Sequence, residues 1–311
     1  MTKARDHGGN LDLARARYGG APDDWIDLST GINPVPYPLP DLPDRVWTAL
    51  PDTRARADLI AVARRFWRIP SEAGVLPAPG ASALIARLPT LAAGDRVHIP
   101  GPTYNEHAAA FRAHGFTVTD DTTAPSRVFV NPNNPDGREW CDAVLRPFAV
   151  IDESFCDVTF DRSQVALTTE RGIIVLKSFG KFWGLAGLRL GFAIAHPDTL
   201  APLAEALGPW AVSGPALTIG TAALGDEDWA EETRTRLSRD AMRLDDLMAR
   251  HGTAVGGTDL FRLYDVGDAV SFRDRLARHR IWSRIFPYSK GWLRLGLPHP
   301  DHWPRLEEAL G

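Results

Sequence analysis

Cysteine is scarce. Cys141 and Cys156 are the only two in 311 residues, too few for a disulfide framework or a cysteine-built metal site, and they read as reduced thiols. No apolar run approaches the length of about 18 residues that a membrane helix needs. The opening Met1-Thr2-Lys3-Ala4-Arg5-Asp6-His7 has no apolar core, which argues against a secretory signal and for a cytoplasmic location. A basic block is also missing. Lys and Arg number 35 against 39 Asp and Glu, for a net charge of −4. Acidic residues such as Asp226-Glu227-Asp228 and Glu231-Glu232 lie among the arginines, so no nucleic-acid partner is expected. The nine histidines show no ligand spacing with carboxylates or cysteines, so no metal site is expected. There is no internal repeat and no low-complexity tract. The 44% hydrophobic and 24% charged content is that of an ordinary globule, long enough for one large domain or two smaller ones.

Short strands alternate with helices through the middle of the chain. The pattern predicts strands over 96–99, 116–119, 127–130, 149–151, 173–176 and 188–195. Between them it predicts a helix from Tyr104 to His114, ended by Gly115, and another from Arg138 to Phe148 with Trp140, Val144, Leu145 and Phe148 on one face. The expected fold is therefore α/β, with a mostly parallel central sheet covered by helices. Ligands of such sheets bind beyond the carboxyl ends of strands, where Asn134, Asp152 and Lys181 all lie. The flanks predict helices at Leu11–Tyr18 and Asp58–Trp67, and a loop with four prolines between Asn33 and Pro40. A long helix is expected from Asp226 to His251. Strands over 261–264, 281–285 and 292–295, with a helix at Asp268–His279, complete a smaller α+β unit. The organisation expected is an N-terminal arm and small-domain segment over 1–40, a large domain over 41–215 and a small domain over 216–311.

Five stretches carry chemistry. Lys181 sits in a glycine-punctuated loop after the apolar strand Ile173–Leu176, three residues after Ser178 and eight before Arg189. An amine beside a hydroxyl and a guanidinium suits a phosphate-bearing aldehyde: the amine forms an imine and the other two hold the phosphate. Pro79-Gly80-Ala81-Ser82 opens a helix with small residues that let backbone N–H groups approach an anion. Gly101-Pro102-Thr103-Tyr104 puts an aromatic at a strand-to-helix turn. Asn131-Pro132-Asn133-Asn134-Pro135-Asp136-Gly137 is rich in turn formers. Asp152 ends an apolar strand, where an acid needs a partner.

In this order NPNNPDG (131–137), IDESF (151–155) and SFGKFWGLAGLRLGF (178–192) resemble the fold-type I pyridoxal-phosphate enzymes of the aminotransferase class I/II superfamily. The resemblance runs from about His7 to the C-terminus. It implies that Lys181 binds the cofactor aldehyde and later moves protons, and that Asp152 keeps the pyridine nitrogen protonated. It implies that Tyr104 stacks on the ring and Asn134 donates to its phenolic oxygen. Gly80, Ala81, Ser82, Ser178 and Arg189 would hold the cofactor phosphate, and Arg294 the substrate carboxylate. A homodimer is implied as well. Two positions depart from the family: Phe155 replaces a tyrosine touching the phenolic oxygen, and Leu50 replaces a tyrosine reaching the partner's cofactor phosphate.

The N-terminus narrows the resemblance. His7-Gly8-Gly9-Asn10, followed by Ser29-Thr30-Gly31-Ile32-Asn33-Pro34, is similar to the threonine-phosphate decarboxylases of cobalamin biosynthesis, relatives of the histidinol-phosphate aminotransferases. It implies a phosphorylated amino acid substrate, with His7, Gly8 and Asn33 near its phosphate. Aminotransferase activity is the alternative, and a non-catalytic regulatory or assembly module a remote one. Decarboxylation requires the carboxylate to be held perpendicular to the cofactor ring; amino transfer requires the Cα–H bond there instead.

Overall fold

The computed structural model describes residues 7–140 and 147–311. The chain forms two compact units. One gathers the described residues of Met1–Val35, Pro135–Arg138 and Glu232–Gly311; the other gathers those of Pro36–Asn134 and Glu139–Glu231. The sequence pattern places divisions after residues 40 and 215, whereas the compact units divide after 35 and 231 and return residues 135–138 to the terminal unit.

In the terminal unit, α1 (Leu11–Tyr18) leads to β1 (Ile26–Asp27), which pairs in parallel with β11 (Ile281–Trp282). An antiparallel sheet in the order β12-β13-β10-β9 joins Arg284–Ile285, Trp292–Gly296, Phe261–Asp265 and Thr253–Thr258. Trp25 and Trp282 meet edge to face at 6.3 Å and pack with Ala14 and Ala277. Asp268 caps α9 (Ala269–Arg278) by accepting from Val270 N and Ser271 N.

The other unit holds a seven-stranded sheet in the order β2-β8-β7-β6-β5-β3-β4. In chain order its strands are β2 (Gly74–Ala78), β3 (Arg96–His98), β4 (Thr117–Thr119), β5 (Ser126–Val130), β6 (Phe148–Asp152), β7 (Ile173–Ser178) and β8 (Gly191–Ala195). Neighbours from β4 through β7 run parallel, and only β8 is antiparallel to both of its partners. Every residue of β6 and β8 is buried, as expected for strands covered on both faces. Val97, Val128, Val150, Ile174 and Leu176 form the core with Phe111 of α5 (Asn105–Ala113). The parallel register brings the ends of β3, β5, β6 and β7 to one edge of the sheet. Ser178 pairs with Gly191 and Gly191 with Ala78, so the start of β8 and the end of β2 share that edge.

Four expected elements differ. Residues 138–140 are not helical, and the rest of the helix expected at Arg138–Phe148 falls on 141–146, outside the described residues, with Phe148 already in β6. The strand expected from Leu188 starts only at Gly191, because Arg189 takes a left-handed conformation, φ 54°, that no ladder accommodates. The stretch 281–285 is not one strand: Ser283 divides it between two sheets. The helix expected at Asp58 begins at Thr53, where the Asp52 carboxylate accepts from Ala55 N at 2.7 Å.

Beneath the functional edge lies a fully buried cation. Lys177 Nζ is 2.7 Å from Glu153 Oε2 and 3.6 Å from Asp157 Oδ1. Asp157 also accepts from Trp67 Nε1 at 2.9 Å and Trp183 Nε1 at 3.2 Å. Glu153 further accepts from Ser163 Oγ and Gln164 N, each at 2.6 Å. Burial opposes the lysine's charge, but Glu153 and Asp157 outweigh it and raise its pKa. This pairing ties β7 to the segment following β6. Lys177→Met, which strands two buried carboxylates, is expected to cost about 3–5 kcal/mol in urea denaturation; an unchanged midpoint would show that the pair carries no such weight.

Candidate active site

Asp152 closes β6 with its side chain buried. Its Oδ2 lies 2.8 Å from His107 Nε2, and its Oδ1 accepts from Ser154 N at 3.0 Å and Ser154 Oγ at 2.5 Å. Burial pushes the carboxyl up, but the hydrogen bond and charge of His107, with the two bonds from Ser154, hold it below the ordinary carboxylate range. A buried carboxylate kept ionised in this way can hold a proton on a basic ring nitrogen.

The cation side of the site is built around Arg189. Its left-handed backbone costs a non-glycine residue about 1–3 kcal/mol, and it turns the guanidinium so that Nη2 donates to Ser82 Oγ at 2.9 Å and Nη1 to Ala186 O at 3.1 Å. Gly80, at φ 83°, lies against it: a Cβ there would stand 2.6 Å from Nη2. Ser178 Oγ accepts from Gly180 N at 3.3 Å. Two hydroxyls, a guanidinium and the open backbone at Gly80 and Ala81 suit a phosphate.

A cavity of about 170 Å³ joins these groups. Ala81, Ser82, Tyr104, Asn134, Asp152, Ser178, Lys181 and Arg189 all line it, as does Phe155. Lys181 Nζ lies 5.2 Å from the centre of the Phe155 ring. Tyr104 begins α5 and meets His107 edge to face at 6.0 Å. The loop bearing Asn134 is held by its neighbour: Thr103 Oγ1 donates to Asn133 Oδ1 at 2.5 Å, and Asn133 Nδ2 to Pro102 O at 3.0 Å. Pyridoxal phosphate fits this donor set: an amine for its aldehyde, a carboxylate for its pyridinium, an aromatic for its ring and an anion cradle for its phosphate. A larger cavity, about 320 Å³, opens elsewhere in the same unit between Arg56 and Trp210. It brings no such groups together, and its Asp52 is already spent capping a helix.

Cys156 is buried beside Glu153, and burial raises its thiol pKa well above the ordinary value, so it is no nucleophile. His107 and Lys177 are the polar residues that motif reasoning missed. The only signal for His107 is its spacing, three residues after Tyr104 on the same helix.

The remaining candidates lie in the terminal unit. His7 is exposed. Gly8 packs so closely on Ser29 that a Cβ would stand 2.3 Å from its carbonyl oxygen. Gly9 N donates to Ser29 Oγ at 2.7 Å, and that hydroxyl donates to Asp27 Oδ1 at 2.5 Å. Arg294 is buried in β13. Its Nη2 donates to Ser29 O at 2.6 Å, and its guanidinium lies 4.9 Å from the Phe261 ring centre. Asn33 is buried, its Oδ1 accepting from Val35 N and from Arg236 Nη2. Ser29 lies in the Ser29–Pro34 stretch but the resemblance gives it no role there, and Arg236 has no motif to mark it. Leu50, in the sheet-bearing unit, is 67% exposed.

Because the Asp152 pKa is lowered, its contribution to stability is present above the ordinary carboxylate value, about 3.9, and is lost as pH falls through the folded value. The pH–activity profile should therefore show no limb from this group above about pH 4. Asp152→Asn should still fold and lower turnover by about 100-fold or more. Turnover near wild type would contradict the role given to the carboxylate.

The family model of class I and II aminotransferases matches residues 23–125 and 127–304. The chain is 43% identical to a threonine-phosphate decarboxylase of Sinorhizobium sp, the match covering 98% of this chain and 97% of that one. It is 39% identical, at the same coverage, to a threonine-phosphate decarboxylase of Pseudomonas aeruginosa. Among solved structures, histidinol-phosphate aminotransferase from Sinorhizobium meliloti in complex with pyridoxal-5'-phosphate superposes with a TM-score of 0.80 over 100% of this chain and 98% of that one. At 18% identity that likeness speaks for the fold alone. With its mostly parallel sheet, its lysine loop and a family match over nearly its whole length, the chain belongs to the aminotransferase class I and II family.

Proposed function

We propose that the protein decarboxylates L-threonine O-3-phosphate with pyridoxal phosphate as cofactor, giving (R)-1-amino-2-propanol phosphate and carbon dioxide for cobalamin biosynthesis. The observation that carries this over amino transfer is the seating of the His7-Gly8-Gly9-Asn10 arm. Gly8 and Gly9 both pack on Ser29, whose carbonyl also accepts from Arg294. Groups suited to a distal anion are thereby joined to the arginine suited to a carboxylate. The full-length likeness to threonine-phosphate decarboxylases supports the same reading.

When bound, the cofactor supplies an electron sink for the pair released at the substrate's Cα. Asp152 holds the proton on the pyridine nitrogen, without which the sink fails. Gly80, Ala81, Ser82, Ser178 and Arg189 hold the cofactor phosphate. Tyr104 supports the ring face, and Asn134 donates to the phenolic oxygen. Arg294 grips the substrate carboxylate and so fixes the direction of the bond from Cα. That bond breaks, carbon dioxide leaves, and the electron pair stays at Cα. Lys181 Nζ then delivers a proton to Cα. We place the working form in the cytoplasm as a homodimer; exposed Leu39, Trp47, Leu50 and Trp210 give the sheet-bearing unit apolar surface to cover.

The test is an assay of the cofactor-loaded protein with L-threonine phosphate. Carbon dioxide should be released without 2-oxoglutarate, and Lys181→Ala should lower the rate by at least about 10²–10⁴-fold. Absence of carbon dioxide, with 2-oxoglutarate-dependent turnover of histidinol phosphate, would make the protein an aminotransferase instead.

A further inference from the structure

Ser154 lines the same cavity as Asp152, Tyr104 and Lys181, yet no step of the proposed reaction uses its hydroxyl. Its backbone N–H donates to Asp152 Oδ1 at 3.0 Å, a local turn that any residue except proline would supply at this position. The hydroxyl is different. It donates to the same oxygen at 2.5 Å, and that second donor depends on the side chain being a serine or a threonine. The bond is made inside the sheet-bearing unit, at the edge where the cofactor ring nitrogen is expected.

An ionised carboxylate offers about four acceptor sites, two on each oxygen. On Asp152 Oδ1 both are filled by Ser154, through its N–H and its hydroxyl. On Oδ2 one is taken by His107 Nε2, 2.8 Å away. Among the described residues these are the hydrogen-bond and ion-pair partners of the Asp152 carboxylate. One acceptor site remains, and it is on Oδ2. Hydrogen bonds to the charged form also make a carboxylate less basic. The Ser154 hydroxyl therefore loosens the hold of Asp152 on any further donor, and a ring N–H entering the cavity is such a donor.

We propose that Ser154 is a positioning residue whose hydroxyl confines the cofactor ring nitrogen to Asp152 Oδ2 and moderates how strongly the carboxylate grips it. With the hydroxyl gone, Oδ1 regains an acceptor site and the carboxylate meets the ring N–H with more of its charge. The pair then becomes tighter, not looser. The inference rests on the reading of Asp152 as the partner of the pyridine nitrogen, and it holds whichever substrate the enzyme takes.

The test is an exchange equilibrium on the full-chain holoenzyme. The protein is equilibrated with mixtures of pyridoxal phosphate and its deaza analogue, in which C–H replaces the ring nitrogen, and the bound cofactor is identified by mass spectrometry. The bound ratio measures the preference for a ring nitrogen, and any change to the cavity that acts on both ligands cancels. Ser154→Ala should raise the preference for pyridoxal phosphate about 3- to 10-fold. Ser154→Thr, which keeps the hydroxyl, should stay within about twofold of wild type. Asp152→Asn should lower the preference below that of wild type. A preference that is unchanged or lowered in Ser154→Ala overturns the inference, as does a rise in Ser154→Thr equal to that in Ser154→Ala. If Ser154→Ala does not fold, Ser154→Gly, which also lacks the hydroxyl, is judged by the same outcomes. A wild-type protein with no preference overturns this inference together with the role given to Asp152. A wild-type preference that Asp152→Asn removes and Ser154→Ala leaves in place overturns this inference alone.

Discussion

The chemistry assigned to this fold depends on one buried negative charge. Asp152 ends a strand whose every residue is buried, where an isolated carboxylate would take up a proton. His107 and Ser154 prevent this with three hydrogen bonds. His107 can do so because α5 follows β3, which places the first turn of the helix beside the end of β6. Tyr104 begins the same helix. In the proposed mechanism the support for the ring nitrogen and the support for the ring face would therefore come from one element, and moving either would displace the other.

A second buried charge set gives this edge its rigidity. Glu153 follows Asp152 directly, and Lys177 precedes Ser178, so the Glu153–Lys177 pair joins the backbones carrying the Asp152 carboxylate and the lysine loop. The indole N–H groups of Trp67 and Trp183 complete the cluster on Asp157. Positive and negative groups are thus sorted by depth: a closed ion cluster below, and above it a carboxylate, an amine and a guanidinium lining a cavity. In the terminal unit Ser29 has the corresponding part, since its hydroxyl receives the N-terminal arm and its carbonyl receives Arg294.

What the sequence made legible follows from where its signals are local. The strands from β3 to β7 are short apolar runs bounded by turn formers, and the lysine loop, the Asn-Pro run and the Asp152 strand end are contiguous motifs. Other features are encoded by partners distant in the chain. Pro77 disguises β2, which tolerates it as the edge strand of the sheet. Gly256 and Gly257 disguise β9 in the same way. The break at Ser283 depends on two different partner strands. Lys177 looks like an interruption of an apolar run until Glu153 and Asp157 are seen around it. Arg236 is one arginine among many on a charged helix, and only its contact with Asn33, 203 residues away, distinguishes it.

The central claim is that the bond broken at Cα is the one to the carboxylate, and that Lys181 supplies the proton replacing it. Turnover of L-threonine phosphate in deuterium oxide, read by mass spectrometry, tests which bond is broken and whether the replacing proton comes from a solvent-exchangeable group such as the Lys181 amine. The account predicts aminopropanol phosphate carrying one non-exchangeable deuterium at the carbon that lost carbon dioxide, and no deuterium at Cα of the remaining substrate. Recovered L-threonine phosphate deuterated at Cα, with its carboxylate intact and no aminopropanol phosphate formed, would mean that the site breaks the Cα–H bond instead, and would contradict the account.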